Sequence, residues 1–196
     1  MSHKVILVIV EGPSDDTALG SILGKIFDEH RVFVKVTFGD ITTDRYTTAN
    51  NVAGKLGDLV KAYAQSMYFE RKDFLKVVHI VDRDGAYIPD NAVFENSELN
   101  KPLYSLTEIQ TAKPEKMCLR NQKKQSVLDR ISKMNKVWKT IPYQVYYMSC
   151  NLDHVLYNKM NSSDKKKKRL HISLLRNIKM IFLVFCVLFH ILIFLE

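Results

Sequence analysis

The sequence predicts an α/β fold, with a mainly parallel sheet flanked by helices. Three observations predict it. Val5 to Val10 and Phe74 to Val81 are continuous apolar runs rich in β-branched residues, the habit of strands buried on both faces. Segments with helical spacing of apolar residues alternate with the strand-like runs, which argues for parallel strands joined by helices. The strand-like runs also lead into acids, at the carboxyl ends where open α/β sheets carry their sites.

The elements follow in chain order. Val5 to Val10 is broken by Glu11-Gly12-Pro13-Ser14. Ser14 suits a helix N-cap, and Asp15 and Asp16 favour the first turn. Thr17 to Glu29 carries Ala18, Leu19, Ile22, Leu23, Ile26 and Phe27 at helical spacing. Arg31 to Thr37 alternates as a second strand, and Asp40 to Asn51 is polar and reads as a loop. Val52 to Phe69 is a second helix, with Val52, Leu56, Leu59, Val60, Tyr63 and Met67 on one face. Phe74 to Val81 then runs straight into Asp82-Arg83-Asp84-Gly85. Ala86 to Pro102 reads as a loop, Ser126 to Lys136 lies in a basic helix, and Tyr143 to Met148 is strand-like. Asn151, Leu152, Val155, Leu156 and Met160 mark a last helix from Cys150.

Composition bounds the class. The 196 residues suit one domain with an appendage, and 46% hydrophobic with 26% charged residues is too apolar for a disordered chain. Cys118, Cys150 and Cys186 lie far apart. This argues against a disulfide scaffold or a Cys-rich zinc module and fits a reducing, cytoplasmic compartment. The N-terminal apolar run lacks the pattern of a secretory signal. The net charge of +8 suggests an anionic partner, but it is unevenly placed. Seven of the 29 Lys and Arg residues and one of the 21 acids lie from Lys165 onward. Residues 1–164 therefore hold 22 cations against 20 acids, a net of +2. A lesser basic cluster (Lys116, Arg120, Lys123, Lys124, Arg130, Lys133, Lys136) reads first as a solvated helix face and second as a surface tracking phosphates.

Residues 1–164 are read as the domain and 165–196 as a basic and hydrophobic tail. Met180 to Leu195 has no charge but falls short of the roughly 20 residues a spanning helix needs. Extension back through residue 178 includes Lys179, which can snorkel. The Lys165–Arg169 cluster would then keep the domain cytoplasmic and the tail would be a membrane anchor. A competing reading makes the tail a frameshift product at the A-rich codons of Lys165 to Lys168.

The chemistry-bearing residues are carboxylates. Glu11 ends the first strand, with Asp15 four residues on; Asp82 and Asp84 end the Phe74–Val81 strand; Asp153 follows the last. If the chain stays extended, residues 82 and 84 point the same way. Oxygen ligands without His or Cys suit Mg²⁺ or Mn²⁺, and phosphoryl transfer is the natural chemistry of such a site. Several other site types are disfavoured. An EF-hand loop counted from Asp82 has Tyr87 where Gly is required and Val93 where Glu is required. No P-loop and no G-x-S-x-G elbow occurs. His79, inside an apolar strand, reads as a core histidine, and His154 as a surface one. The plain alternatives are a turn role for Asp82 and helix-start roles for Asp15 and Asp153. For Tyr143, Tyr146 and Tyr147 packing is the first reading and base stacking the second.

Val-Ile-Val-Glu11-Gly12-Pro-Ser-Asp15 and Ile-Val-Asp82-Arg-Asp84-Gly resemble the two signature motifs of the Toprim domain, found in topoisomerases, primases and small nucleases. Within that family the chain resembles small standalone members akin to the overcoming-lysogenization-defect nucleases, over residues 4–160. The resemblance implies a Toprim-like, Rossmann-like sheet. It also implies Glu11 as general acid or base within the metal site, and Asp82 and Asp84 as Mg²⁺ ligands. Asp15 resembles the added metal ligand of the nuclease branch. Cys150-Asn-Leu-Asp153-His154-Val-Leu-Tyr157 resembles the acid-bearing helix start after the fourth strand, where the family usually has Glu. The implied function is Mg²⁺- or Mn²⁺-dependent hydrolysis of nucleic-acid phosphodiesters in DNA or RNA, in a phage-defence setting. The alternatives are a non-catalytic nucleic-acid or protein-binding module, or a membrane-tethered protein acting through its tail.

Overall fold

A computed structural model describes residues 4–12, 32–38, 41–148 and 161; for 32–38 it describes the backbone. Five strands form the main sheet: β1 (Lys4–Val10), β2 (Val32–Phe38), β3 (Phe74–Asp82), β7 (Lys136–Val137) and β8 (Ile141–Met148). Their order is β2-β1-β3-β8-β7. The β1/β2, β1/β3 and β3/β8 pairs are parallel, and the two-residue edge strand β7 runs antiparallel to β8. The fold is therefore α/β with a mostly parallel sheet, as its apolar strand runs predict.

Helices α1 (Val52–Ser66) and α2 (Pro114–Ser132) pack on one face of this sheet. Val52, Leu56, Val60 and Ala64 of α1 and Val127, Leu128 and Ile131 of α2 meet Val5, Leu7, Ile9, Val77, Val81 and Tyr143. Each such fully buried aliphatic side chain stabilises the fold by about 1.5–3 kcal/mol relative to exposure. Ile6, Val8, Val10 and Val78, on the opposite face, are buried as well, which is why these strands show no polar alternation.

A smaller sheet has the order β4-β6-β5, from β4 (Val93–Glu95), β5 (Leu103–Tyr104) and β6 (Ile109–Thr111). Val93 and Ile109 pack with Met117 at the start of α2, against Ile88 and Tyr104. The expected loop at Ala86 to Pro102 thus contains a strand. Three residues are too few to show a period of two.

Other boundaries also move. The basic helix expected to hold Ser126 to Lys136 is α2, which starts as early as Pro114 but ends at Ser132, leaving Lys136 to β7; proline takes the first helical position, where its missing N–H costs nothing. The buried stripe of α2 is Met117, Asn121, Lys124, Val127, Leu128 and Ile131. Two of its members are polar, so apolar periodicity becomes visible only at Val127. α1 stops at Ser66 rather than Phe69, because Tyr68 adopts a left-handed backbone (φ 58°) and the Phe69 N–H turns back to the Ala64 carbonyl at 2.8 Å. The helices expected at Thr17 to Glu29 and from Cys150 lie outside the described residues, as does the tail from Lys165.

Candidate metal centre

The chain runs from β1 to β2 on one side of the sheet and returns to β3 on the other side of β1. The order of strands therefore reverses between β1 and β3, and it is at the carboxyl ends of strands at such a reversal that open α/β sheets bind ligands. Glu11 directly follows β1 and Asp82 ends β3. Because the strands are parallel neighbours, both acids arrive at the same edge.

Asp84 reaches them by a different route from the extended one expected of the sequence. β3 ends at Asp82, and Asp84 and Gly85 both have positive φ (44° and 71°). The Ala86 N–H donates to the Arg83 carbonyl at 2.8 Å, closing a turn. Two central residues at positive φ are the signature of a type I′ turn, which favours Asp-Gly. Gly85 suits the close quarters as well as the conformation. A Cβ there would lie 2.9 Å from Ile109 Cδ1. The turn, not the pleat, brings the second aspartate back to the site.

Glu11, Asp82 and Asp84 each offer a carboxylate oxygen, and these oxygens lie within 4.8 Å of one another. Two oxygens on opposite sides of a Mg²⁺ ion are about 4.2 Å apart. The set is oxygen-only and nearly at that span, so a small contraction around a hard divalent ion satisfies it. Asp15 and Asp153, the other two predicted ligands, lie outside the described residues.

Cations from α2 surround the cluster. The Lys124 side chain is only 1% exposed, and its ammonium donates to Asp84 Oδ2 at 2.7 Å and Glu11 Oε2 at 3.3 Å. Arg120 donates to the Asp84 carbonyl at 2.8 Å and to Oδ2 at 3.2 Å, which holds the backbone and side chain of that turn residue together. Arg120 also donates to Asn121 Oδ1 at 2.9 Å. Asn121 is buried, and among the described residues its Nδ2 has no hydrogen-bond partner. The solvated-face reading of the basic cluster is therefore wrong for Lys124. Buried lysines are rare unless paired, and this one is paired with the site.

Thr42, on the loop between β2 and α1, also reaches the cluster. Its hydroxyl donates to Glu11 Oε1. The loop that carries it is tied down by Asp44, whose carboxylate accepts from the Thr47 hydroxyl at 2.8 Å and pairs with Lys55. The Lys55 ammonium and the Thr47 hydroxyl hold the Asp44 carboxyl at a pKa of about 2. Lys123 adds bonds to the Asp44 and Arg45 carbonyls at 3.0 and 2.6 Å. No local pattern marks Thr42; only the path of the loop brings it to Glu11.

Beneath the cluster, His79 on β3 is wholly buried, with Nδ1 2.8 Å from the Tyr143 hydroxyl and, among the described residues, no partner for Nε2. Burial, aided by the charge of Lys124, lowers its pKa to about 3, so it is a neutral core histidine at pH 7. Tyr143 is buried and Tyr147 donates to the Leu128 carbonyl at 3.2 Å, so both pack toward α2.

The fold and the site define an α/β protein with an acidic, metal-competent cluster at the strand-order reversal of a mostly parallel sheet. No protein-family model, curated protein or solved structure matches the chain. Among the described residues no helix is long and apolar enough to cross a membrane.

Proposed function

We propose that the protein is a Toprim-like phosphotransfer enzyme that uses Mg²⁺ or Mn²⁺ to hydrolyse nucleic-acid phosphodiesters. The observation that carries this reading is the convergence of Glu11, Asp82 and Asp84 at the carboxyl ends of β1 and β3. The signature motifs Glu11-Gly12 and Asp82-Arg-Asp84-Gly stand at these positions. A divalent ion held there would polarise a phosphoryl oxygen and ease deprotonation of water.

The chain's own residues have separate tasks in this reading. Asp82 and Asp84 supply ligand oxygens. Glu11, oriented by Thr42 on one oxygen and Lys124 on the other, takes the proton of the attacking water as the phosphorus–oxygen bond forms. The same proton then goes to the departing sugar oxygen as its bond to phosphorus breaks. The products are a phosphomonoester and an alcohol. Arg120, beside Asp84, places positive charge where the anionic backbone would approach.

The test uses the full chain with labelled DNA and RNA and added Mg²⁺. Cleavage should fall by at least about 10²-fold in Glu11→Gln, as expected for loss of a general acid or base, and should vanish in Asp82→Asn. Unchanged cleavage in both variants would remove the site assignment. A second reading has one observation in its favour. Lys124 and Arg120 already neutralise much of the cluster, as they would in a closed ion-pair network of a non-catalytic binding module. That reading predicts neither cleavage nor metal binding.

A further inference from the structure

We propose that Lys124 takes the place of a second divalent ion, so that the centre binds one metal ion rather than two. The inference rests on the metal reading above and specifies how that centre is charged.

Two-metal phosphotransfer sites hold their ions about 3.5–4 Å apart and share a carboxylate between them. Asp84 is the natural shared ligand here, since it is a central residue of the turn after β3 and its carboxylate meets both cations of α2. Its Oδ2 already receives Lys124 at 2.7 Å and Arg120 at 3.2 Å. The Lys124 ammonium also reaches Glu11 at 3.3 Å, so it bridges two of the three carboxylates as a second metal ion would. It is a fixed cation. The lysine is 1% exposed, and its helix is anchored through Val127, Leu128 and Ile131 in the core. Leaving the cluster would require the side chain to cross packed surface.

Charge points the same way. Lys124 and Arg120 already stand on Asp84 Oδ2, so a second divalent ion on that oxygen would meet the repulsion of both cations.

The experiment counts Mn²⁺ ions on the full chain by electron paramagnetic resonance and repeats the count on Lys124→Met. The wild type should bind one ion. The variant should bind a second, or hold the first at least about tenfold more tightly, because a nearby positive charge has gone. Its metal-free form should melt lower than wild type and gain more from Mn²⁺. Two ions on the wild type would overturn the proposal, as would one ion on both proteins with equal affinity. Binding by the variant alone would also overturn it, since the ammonium would then fill the only cation place. Absence of binding by both would sink the metal reading itself. Should Lys124→Met fail to fold, the wild-type count still decides. One ion, retained in Lys124→Arg, supports the proposal and two ions end it.

Discussion

The two halves of α2 share one buried stripe and do opposite work. The C-terminal half buries Val127, Leu128 and Ile131 among apolar strand residues, where every methylene removed from water adds to stability. The N-terminal half buries Asn121 and Lys124 and directs Arg120 at the Asp84 turn. Buried ion pairs return little net stability, because desolvation offsets most of their attraction. An apolar residue at position 124 would suit folding only if the carboxylates it faces were apolar too. The helix thus spends part of its packing face on charge at the point where the strand ends present carboxylates, and stability is concentrated one or two turns further along.

If that division is real, the largest effect on folding comes from the C-terminal half. Leu128→Ala should lower stability by about 2–5 kcal/mol, the range for deleting a fully buried leucine side chain. Chemical denaturation measures this. Below the transition, the Mn²⁺ affinity of the variant should match wild type. A collapse of metal affinity in step with stability would mean the two halves are a single unit.

Gly85→Ala probes the other half from the opposite partner. Alanine at φ 71° carries a penalty of about 1–2 kcal/mol, and its Cβ would crowd Ile109 at 2.9 Å. A combined loss of about 1–3 kcal/mol is expected, smaller than for Leu128→Ala. Here metal affinity should fall as well, because the turn that aims Asp84 is displaced. Retained affinity would show that Asp84 does not depend on this turn for its position.

The same contrast explains what the sequence made readable. Val5–Val10 and Phe74–Val81 could be read as buried parallel strands because both faces are apolar. Glu11, Asp82 and Asp84 followed from their places at strand ends. The start of α2 was hidden because Asn121 and Lys124 occupy core positions, and a burial pattern that includes a lysine does not look like one. Lys124 itself reads in sequence like its solvated neighbours. Its partner Glu11 lies 113 positions away, and no local period carries that pairing. Thr42 depends on a loop path set by Asp44, Lys55 and Lys123, which is equally non-local. The convergence of Asp82 and Asp84 was expected for the wrong reason: the expectation relied on strand alternation, whereas Asp-Gly turn chemistry produces it.

His79 sits where the two halves meet, under the charge of Lys124 and against Tyr143, and it offers the finest test. An unfolded histidine titrates near 6.5, while the folded one stays neutral down to about 3. Between those values the unfolded chain binds the extra proton. Stability attributable to His79 is therefore intact above pH 6.5 and declines as pH falls toward 3. The slope is at most about 1.4 kcal/mol per pH unit. Carboxylates titrate over part of the same window, so the informative quantity is the difference between wild type and His79→Leu. Wild type should lose stability faster than the variant between pH 6.5 and 5. In Lys124→Met the remaining burial still keeps His79 neutral, but the lost positive charge lets it protonate at a higher pH, which narrows the window from below. Equal slopes in wild type and His79→Leu would mean that His79 takes up a proton in the fold and that water reaches the junction between the charged and apolar halves of α2.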